Sequence, residues 1–168
     1  MAILARINSF VFAKKRGAVK KISHYLELFL IEFLDVSNRN EAIDALIDLL
    51  DEAGKLPNRD VFRKAIFERE ELLSTGIGVG VAVPHAKLKG FNDFFIAVGV
   101  QQKKGIEWNA IDKAPVRLVF LIGGPDDRQS EYLKILSQLT AAIKDQNLRK
   151  ELMNASTADE VCEVFSHF

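Results

Sequence analysis

Few side chains in this sequence can serve as nucleophiles or acid–base groups near neutral pH. There are three histidines and one cysteine, Cys162. His85 stands out by its setting, Pro84-His85-Ala86-Lys87, directly after the β-rich run Val79 to Val83. A proline that fixes the backbone holds such an imidazole in one orientation at a strand end while leaving it open to solvent. In its neutral form it can attack an electrophile or shuttle a proton. The plainer alternative is a structural or merely exposed histidine. His24 sits at a junction near the N-terminus and His167 is the penultimate residue, so both are poorer candidates. Cys162 lies on the apolar side of the last expected helix, where core packing suits it. A G-x-S-x-G elbow is missing, which removes the serine-hydrolase reading.

Two further features lie just upstream. Phe62, Ile66 and Leu73 form the apolar stripe of a helix expected from about Asp60, and Arg69 falls on that stripe. An inward guanidinium needs an anionic or strongly accepting partner, because an unpaired buried charge is costly. An intramolecular salt bridge or a snorkelling side chain would also satisfy it. The loop Ser74-Thr75-Gly76-Ile77-Gly78-Val79-Gly80 is spaced G-x-G-x-G and precedes its strand. A dinucleotide loop follows a strand and opens a helix, so that reading fails. Tight turning or a small backbone anion nest remains.

The elements that position these groups follow from pattern. Asn38 and Glu41 make a capping box for a helix with Ile43, Leu46, Ile47 and Leu50 on one face, and Gly54 stops it. Phe94 to Val100 and Val116 to Ile122 read as buried strands. Gly123-Gly124-Pro125 is expected to turn the chain into a helix starting between Asp126 and Ser130, lined by Leu133, Leu136, Leu139 and Ile143. A last helix is expected from Ser156 or Thr157, with Glu160 as capping partner and Val161, Val164 and Phe165 toward the core. Helices at both ends with strands between predict an α/β fold: a mixed β-sheet flanked by helices in a single compact three-layer domain.

With 168 residues, 48% of them hydrophobic and 27% charged, the chain can bury one sizeable core, which excludes disorder as its main state. The formal net charge of +0 provides no global field to recruit nucleic acid. One cysteine permits no internal disulfide, and three histidines with it leave too little for a structural zinc site. The longest membrane candidate, Leu26 to Leu34, is broken by Glu27 and Glu32, so no stable membrane insertion is expected. A cytoplasmic setting fits this composition. Residues 1–21 carry Arg6, Lys14, Lys15, Arg16, Lys20 and Lys21 without an acidic residue and read as a basic N-terminal extension. Residues 22–168 read as the domain.

Taken in order, Arg69-Glu70, Ser74-Thr75-Gly76-Ile77-Gly78 and Gly80-Val81-Ala82-Val83-Pro84-His85-Ala86-Lys87 resemble the signature of fructose/mannitol-type enzyme IIA domains. These belong to the bacterial phosphoenolpyruvate-dependent sugar phosphotransferase system and include the nitrogen-regulatory IIA proteins. The similarity continues through Gly105-Ile106-Glu107-Trp108-Asn109-Ala110-Ile111-Asp112. It implies a phosphotransferase component without cofactor or metal. His85 would accept a phosphoryl group on Nε2 from an HPr-like phosphocarrier protein, Arg69 would offset its charge, and Thr75 with nearby glycine backbone would donate hydrogen bonds. A IIB component or a regulated transporter or kinase would be the onward partner. Family members usually carry a second histidine where this chain has Tyr132, a residue able to donate a hydrogen bond but not a positive charge. No IIC-like membrane region and no fused IIB domain accompany the pattern, which implies a regulatory, nitrogen-branch role rather than a purely transport one. The alternative is a degenerate IIA fold that binds proteins without being phosphorylated. Neither the sugar nor the oligomeric state is implied.

Overall fold

The computed structural model describes residues 20–168, so most of the basic extension, residues 1–19, lies outside the described residues. After a 3-10 turn (Ile22–Tyr25) come β1 (Leu26–Leu34), α1 (Arg39–Glu52) and α2 (Arg59–Leu72). The short strands β2 (Gly76–Gly78), β3 (Val81–Ala82) and β4 (His85–Leu88) follow, then β5 (Phe95–Gln101) and β6 (Leu118–Pro125). The chain ends with α3 (Gln129–Lys144), α4 (Gln146–Asn154) and α5 (Ala158–Phe165).

The sheet runs β1-β5-β6-β3-β2, with β4 also paired to β6. It is mixed: β1–β5, β3–β6 and β4–β6 are parallel, while β5–β6 and β2–β3 are antiparallel. Alternation along the central strands divides the core into two layers. Ile96, Val98, Leu118, Phe120 and Ile122 pack against the layer holding α3, α4 and α5. Phe95, Ala97, Val119 and Leu121 pack against α1 and α2. This is the expected three-layer mixed-sheet architecture.

Local chemistry explains the helices. Asn38 Oδ1 accepts from Glu41 N–H at 3.0 Å, and the Glu41 carboxylate reaches back to Ser37 N–H at 2.8 Å. Asn58 caps α2 through Val61 N–H, and Thr157 caps α5 through Glu160 N–H.

Several expectations need correction. Leu26 to Leu34 is a strand, so the first strand of the sheet precedes the first α-helix and helices do not stand at both ends of the domain. Its register slips between Leu26 and Ile31, which breaks the alternation and leaves Leu28 and Phe29 exposed. Gly123-Gly124-Pro125 continues β6 instead of turning. A Cβ on Gly123 would collide with the Phe95 ring and one on Gly124 with the Phe94 ring, so these glycines admit two aromatic side chains against the strand. The glycine-rich loop is a β2–β3 hairpin whose Val79 takes a left-handed φ of 51°. Only Val81–Ala82 of the expected Val79 to Val83 strand is regular. On α3 the buried stripe is Tyr132, Ile135, Leu139, Ala142 and Ile143; Leu139 and Ile143 face the core as expected and Leu136 is partly buried, but Leu133 faces solvent and the first turns are anchored by Tyr132 and Ile135. Leu73, just past α2, is likewise exposed. Asp145 caps a separate helix, α4, through Asn147 and Leu148 N–H, which pattern reading passed over.

Candidate functional site

His85 opens β4 instead of trailing a strand. Val81–Ala82 and His85–Leu88 lie in line along the same edge of β6, interrupted at Val83-Pro84. Because Ala86 is buried toward α1 and α2, alternation sends His85 and Lys87 toward α3. The ring of Tyr132, from the first turns of α3, lies 5.7 Å from the His85 ring. Arg69, near the end of α2, reaches the ring at Nε2.

Partners on both ring nitrogens define the imidazole. Nδ1 lies 2.9 Å from the Val83 carbonyl oxygen, which can only accept. Arg69 Nε–H, which can only donate, points at Nε2 from 3.2 Å. The proton is therefore on Nδ1 and the lone pair on Nε2. Burial pushes the His85 pKa below its ordinary value. The Val83 hydrogen bond and Glu70 oppose this shift, and the Arg69 and Lys87 cations add to it. The histidine is thus held neutral, with its nucleophilic nitrogen directed at a guanidinium.

That depression has a consequence for stability. An unfolded histidine takes up a proton near its ordinary value, whereas folded His85 resists until the pH is lower. Its contribution is complete above about pH 6.5 and drains away as pH falls toward the folded value. The wild-type melting temperature should therefore drop more steeply from pH 7 to pH 5.5 than that of His85→Gln. Parallel curves in differential scanning fluorimetry would remove this coupling.

The turn after α2 is organised by a carboxylate that the apolar pattern concealed. Glu70 is 2% exposed. It accepts from Thr75 N–H at 3.0 Å, from Trp108 Nε1–H at 3.0 Å and from the Thr75 hydroxyl. Arg39 stands 3.8 Å away. Thr75 does line the pocket that holds His85, but its hydroxyl hydrogen is committed to Glu70. Donation to any ligand would require releasing that bond. The signal for Glu70 was its place at i+4 from Ile66, on the stripe Phe62, Ile66, Glu70 that is in fact buried.

The site is an open pocket of about 320 Å³. Arg69, Thr75 and His85 line it with Leu73, Ile77 and Ile111, and Leu136 and Thr140 of α3 contribute to its wall. Leu73 and Ile111 are 69% and 84% exposed, so a charged, nucleophilic centre lies within an apolar rim. Tyr132 stacks on Phe94, and burial pushes its phenol up to about 12 against the pull of Arg69, so the hydroxyl stays protonated. Cys162 is half-buried against the core, and burial raises its thiol pKa. Among the described residues, no three His, Cys, Asp or Glu side chains gather as metal ligands. No described helix is long and apolar enough to cross a membrane.

Residues 25–168 match the family described as "Phosphoenolpyruvate-dependent sugar phosphotransferase system, EIIA 2". The chain is 33% identical over 147 residues to the "PTS system fructose-specific EIIABC component" of Bacillus subtilis, covering 87% of this chain but 23% of that protein. A "PTS system fructose-specific EIIA component" of Haloferax volcanii is 32% identical over 77% of this chain and 84% of its own length. Among solved structures, the nitrogen regulatory protein IIA-Ntr of Neisseria meningitidis superposes with a TM-score of 0.80 at 29% identity, covering 86% of this chain and 99% of that one.

Proposed function

The chain belongs to the EIIA 2 family of the phosphoenolpyruvate-dependent phosphotransferase system, and on that premise we propose that it is a phosphohistidine carrier working through His85. The observation that carries this reading is the neutral His85 tautomer, with its Nε2 lone pair facing Arg69. The donor is an HPr-like phosphocarrier protein. The Nε2 lone pair attacks phosphorus as the donor's P–N bond breaks, and the leaving pair returns to the donor nitrogen. Arg69 then turns its N–H groups from the lone pair to the phosphoryl oxygens, where bonds to a dianion replace one to an uncharged ring nitrogen. Transfer of this kind rests on positioning and charge stabilisation, and the pocket needs no cofactor for it.

The apolar rim of Leu73, Ile77 and Ile111 suits a protein donor, since a small metabolite would leave it uncovered. The working compartment is the cytoplasm, where the phosphoenolpyruvate-driven carriers act. The domain is residues 22–168, close to the matched span. The onward partner is a IIB component or a regulated transporter or kinase. Likeness to IIA-Ntr supports the regulatory branch, and likeness to the fructose-specific components supports the sugar branch.

A second reading, a protein-binding regulator that is never phosphorylated, draws on Tyr132, which brings an uncharged ring to His85. Intact-mass spectrometry after incubation with phosphoenolpyruvate, enzyme I and an HPr-type carrier separates the two. One acid-labile phosphoryl adduct, absent from His85→Ala, is the expected result. No adduct would favour the binding regulator, and an adduct on His85→Ala would move the site elsewhere.

A further inference from the structure

Lys87 is a half-buried cation with no ion-pair partner among the described residues. It lies two residues after His85 on the same face of β4, about 6.6 Å along the strand. Its Nζ sits 4.5 Å from the centroid of the Tyr132 ring and donates to the side-chain oxygen of Gln129. The Tyr132 ring thus contacts His85 and Lys87 together. Among the described residues no carboxylate lies within ion-pair distance of Lys87, although the same surface pairs Arg128 with both Asp93 and Glu131. A cation beside a nucleophile, resting on an aromatic face and a neutral amide, is placed for an anion that arrives later.

Resting on the carrier reading above, we propose that Lys87 is the second cation of the phosphorylated site: it moves from the Tyr132 ring and Gln129 to a phosphoryl oxygen on His85. The phosphoryl group binds at Nε2 with two negative charges near neutral pH. Arg69 meets it from α2, and Lys87 meets it from β4. An ammonium bound to a phosphoryl dianion gains the attraction of opposite charges, which a neutral amide oxygen and an aromatic face cannot offer, and this supplies the drive for the move. The flexible four-carbon stem lets the ammonium travel without moving the backbone. Tyr132 then has two tasks: it packs against the His85 ring, and it holds Lys87 beside the site while the site is empty.

Two phosphoryl donors test this by different routes. An HPr-type carrier must dock, whereas phosphoramidate is small and transfers directly, its P–N bond breaking as Nε2–P forms and ammonia leaving. Lys87→Met and Lys87→Arg are compared with the wild type, and melting temperatures confirm that each variant is folded. Lys87→Met should accept phosphate from either donor roughly ten- to a hundredfold more slowly. Its phosphorylated form should also return the group to the carrier at a correspondingly more favourable equilibrium. Lys87→Arg, which keeps the cation, should recover to within about threefold of the wild type. Unchanged labelling of Lys87→Met would overturn the assignment. Slowing with the carrier alone would overturn it too, by reducing Lys87 to a docking contact. A wild-type chain that neither donor labels would instead overturn the carrier reading itself and this inference with it.

Discussion

Glu70→Ala should be among the most destabilising single substitutions in this protein, by about 3–5 kcal/mol, because it strands buried donors. The Thr75 N–H, the Thr75 hydroxyl and the Trp108 indole N–H all end on this one carboxylate. Trp108 and Thr75 are 1% and 4% exposed, so water cannot replace the lost acceptor without opening the core. For a chain of this length the melting temperature should fall on the order of 10 °C. Glu70→Gln is a sharp control. The amide oxygen can keep the two N–H donors, and the Thr75 hydroxyl can rotate to accept from the new amide N–H. It should therefore cost far less than alanine. Equal losses in Glu70→Ala and Glu70→Gln, read by thermal unfolding, would show that charge matters here and acceptor geometry does not.

The same residue shows where pattern reading succeeds and where it stops. Apolar periodicity located α2, but the stripe Phe62, Ile66 could be continued at i+3 or at i+4. Arg69 and Glu70 straddle those choices. Both are used: Glu70 turns into the core and Arg69 stays half-buried at the pocket. A one-dimensional period cannot assign the two sides, because the answer depends on where Trp108 arrives, 38 residues later.

Elements whose signals are local were legible: the Asn38–Glu41 cap, the buried strands β5 and β6, and the last helix. The strand β1 was hidden by its own irregularity. A register slip between Leu26 and Ile31 scrambles the period of two that identifies a strand. Gly123-Gly124-Pro125 has the composition of a turn, yet it remains in β6 because the Phe94 and Phe95 rings need the space its missing side chains leave. Such a reason is tertiary and has no signature within a few residues. The approach of Arg69 to His85 followed from the family resemblance, whereas apolar spacing gave only a guanidinium in need of an anionic or accepting partner. The place of Lys87 was not, since a lysine two residues after a histidine reads as one more exposed charge until the Tyr132 ring is beneath it.

Arg69→Met should slow phosphoryl acceptance by roughly a hundredfold or more while leaving the fold intact, the usual scale for removing a pre-positioned donor at a developing charge. In the unphosphorylated protein Arg69 is already anchored: Nη1–H donates to the Leu73 carbonyl at 2.9 Å while Nε–H points at His85 Nε2. Nη2 makes no hydrogen bond within the described residues and is free for an incoming oxygen. Only the Nε contact must be exchanged on phosphorylation, so the guanidinium turns about a fixed point without crossing the site. The pH profile distinguishes this role from a simple loss of packing. On the proposed carrier reading acceptance requires neutral His85, and the Arg69 cation helps to keep the ring neutral. Removing that cation raises the His85 pKa, so the acid limb of the rate profile should move to higher pH. Arg69→Lys keeps a cation but loses the planar fork; it should leave the limb nearly in place and still label slowly. A limb that stays put in Arg69→Met, measured with phosphoramidate as donor, would mean that the guanidinium does not act electrostatically on the histidine.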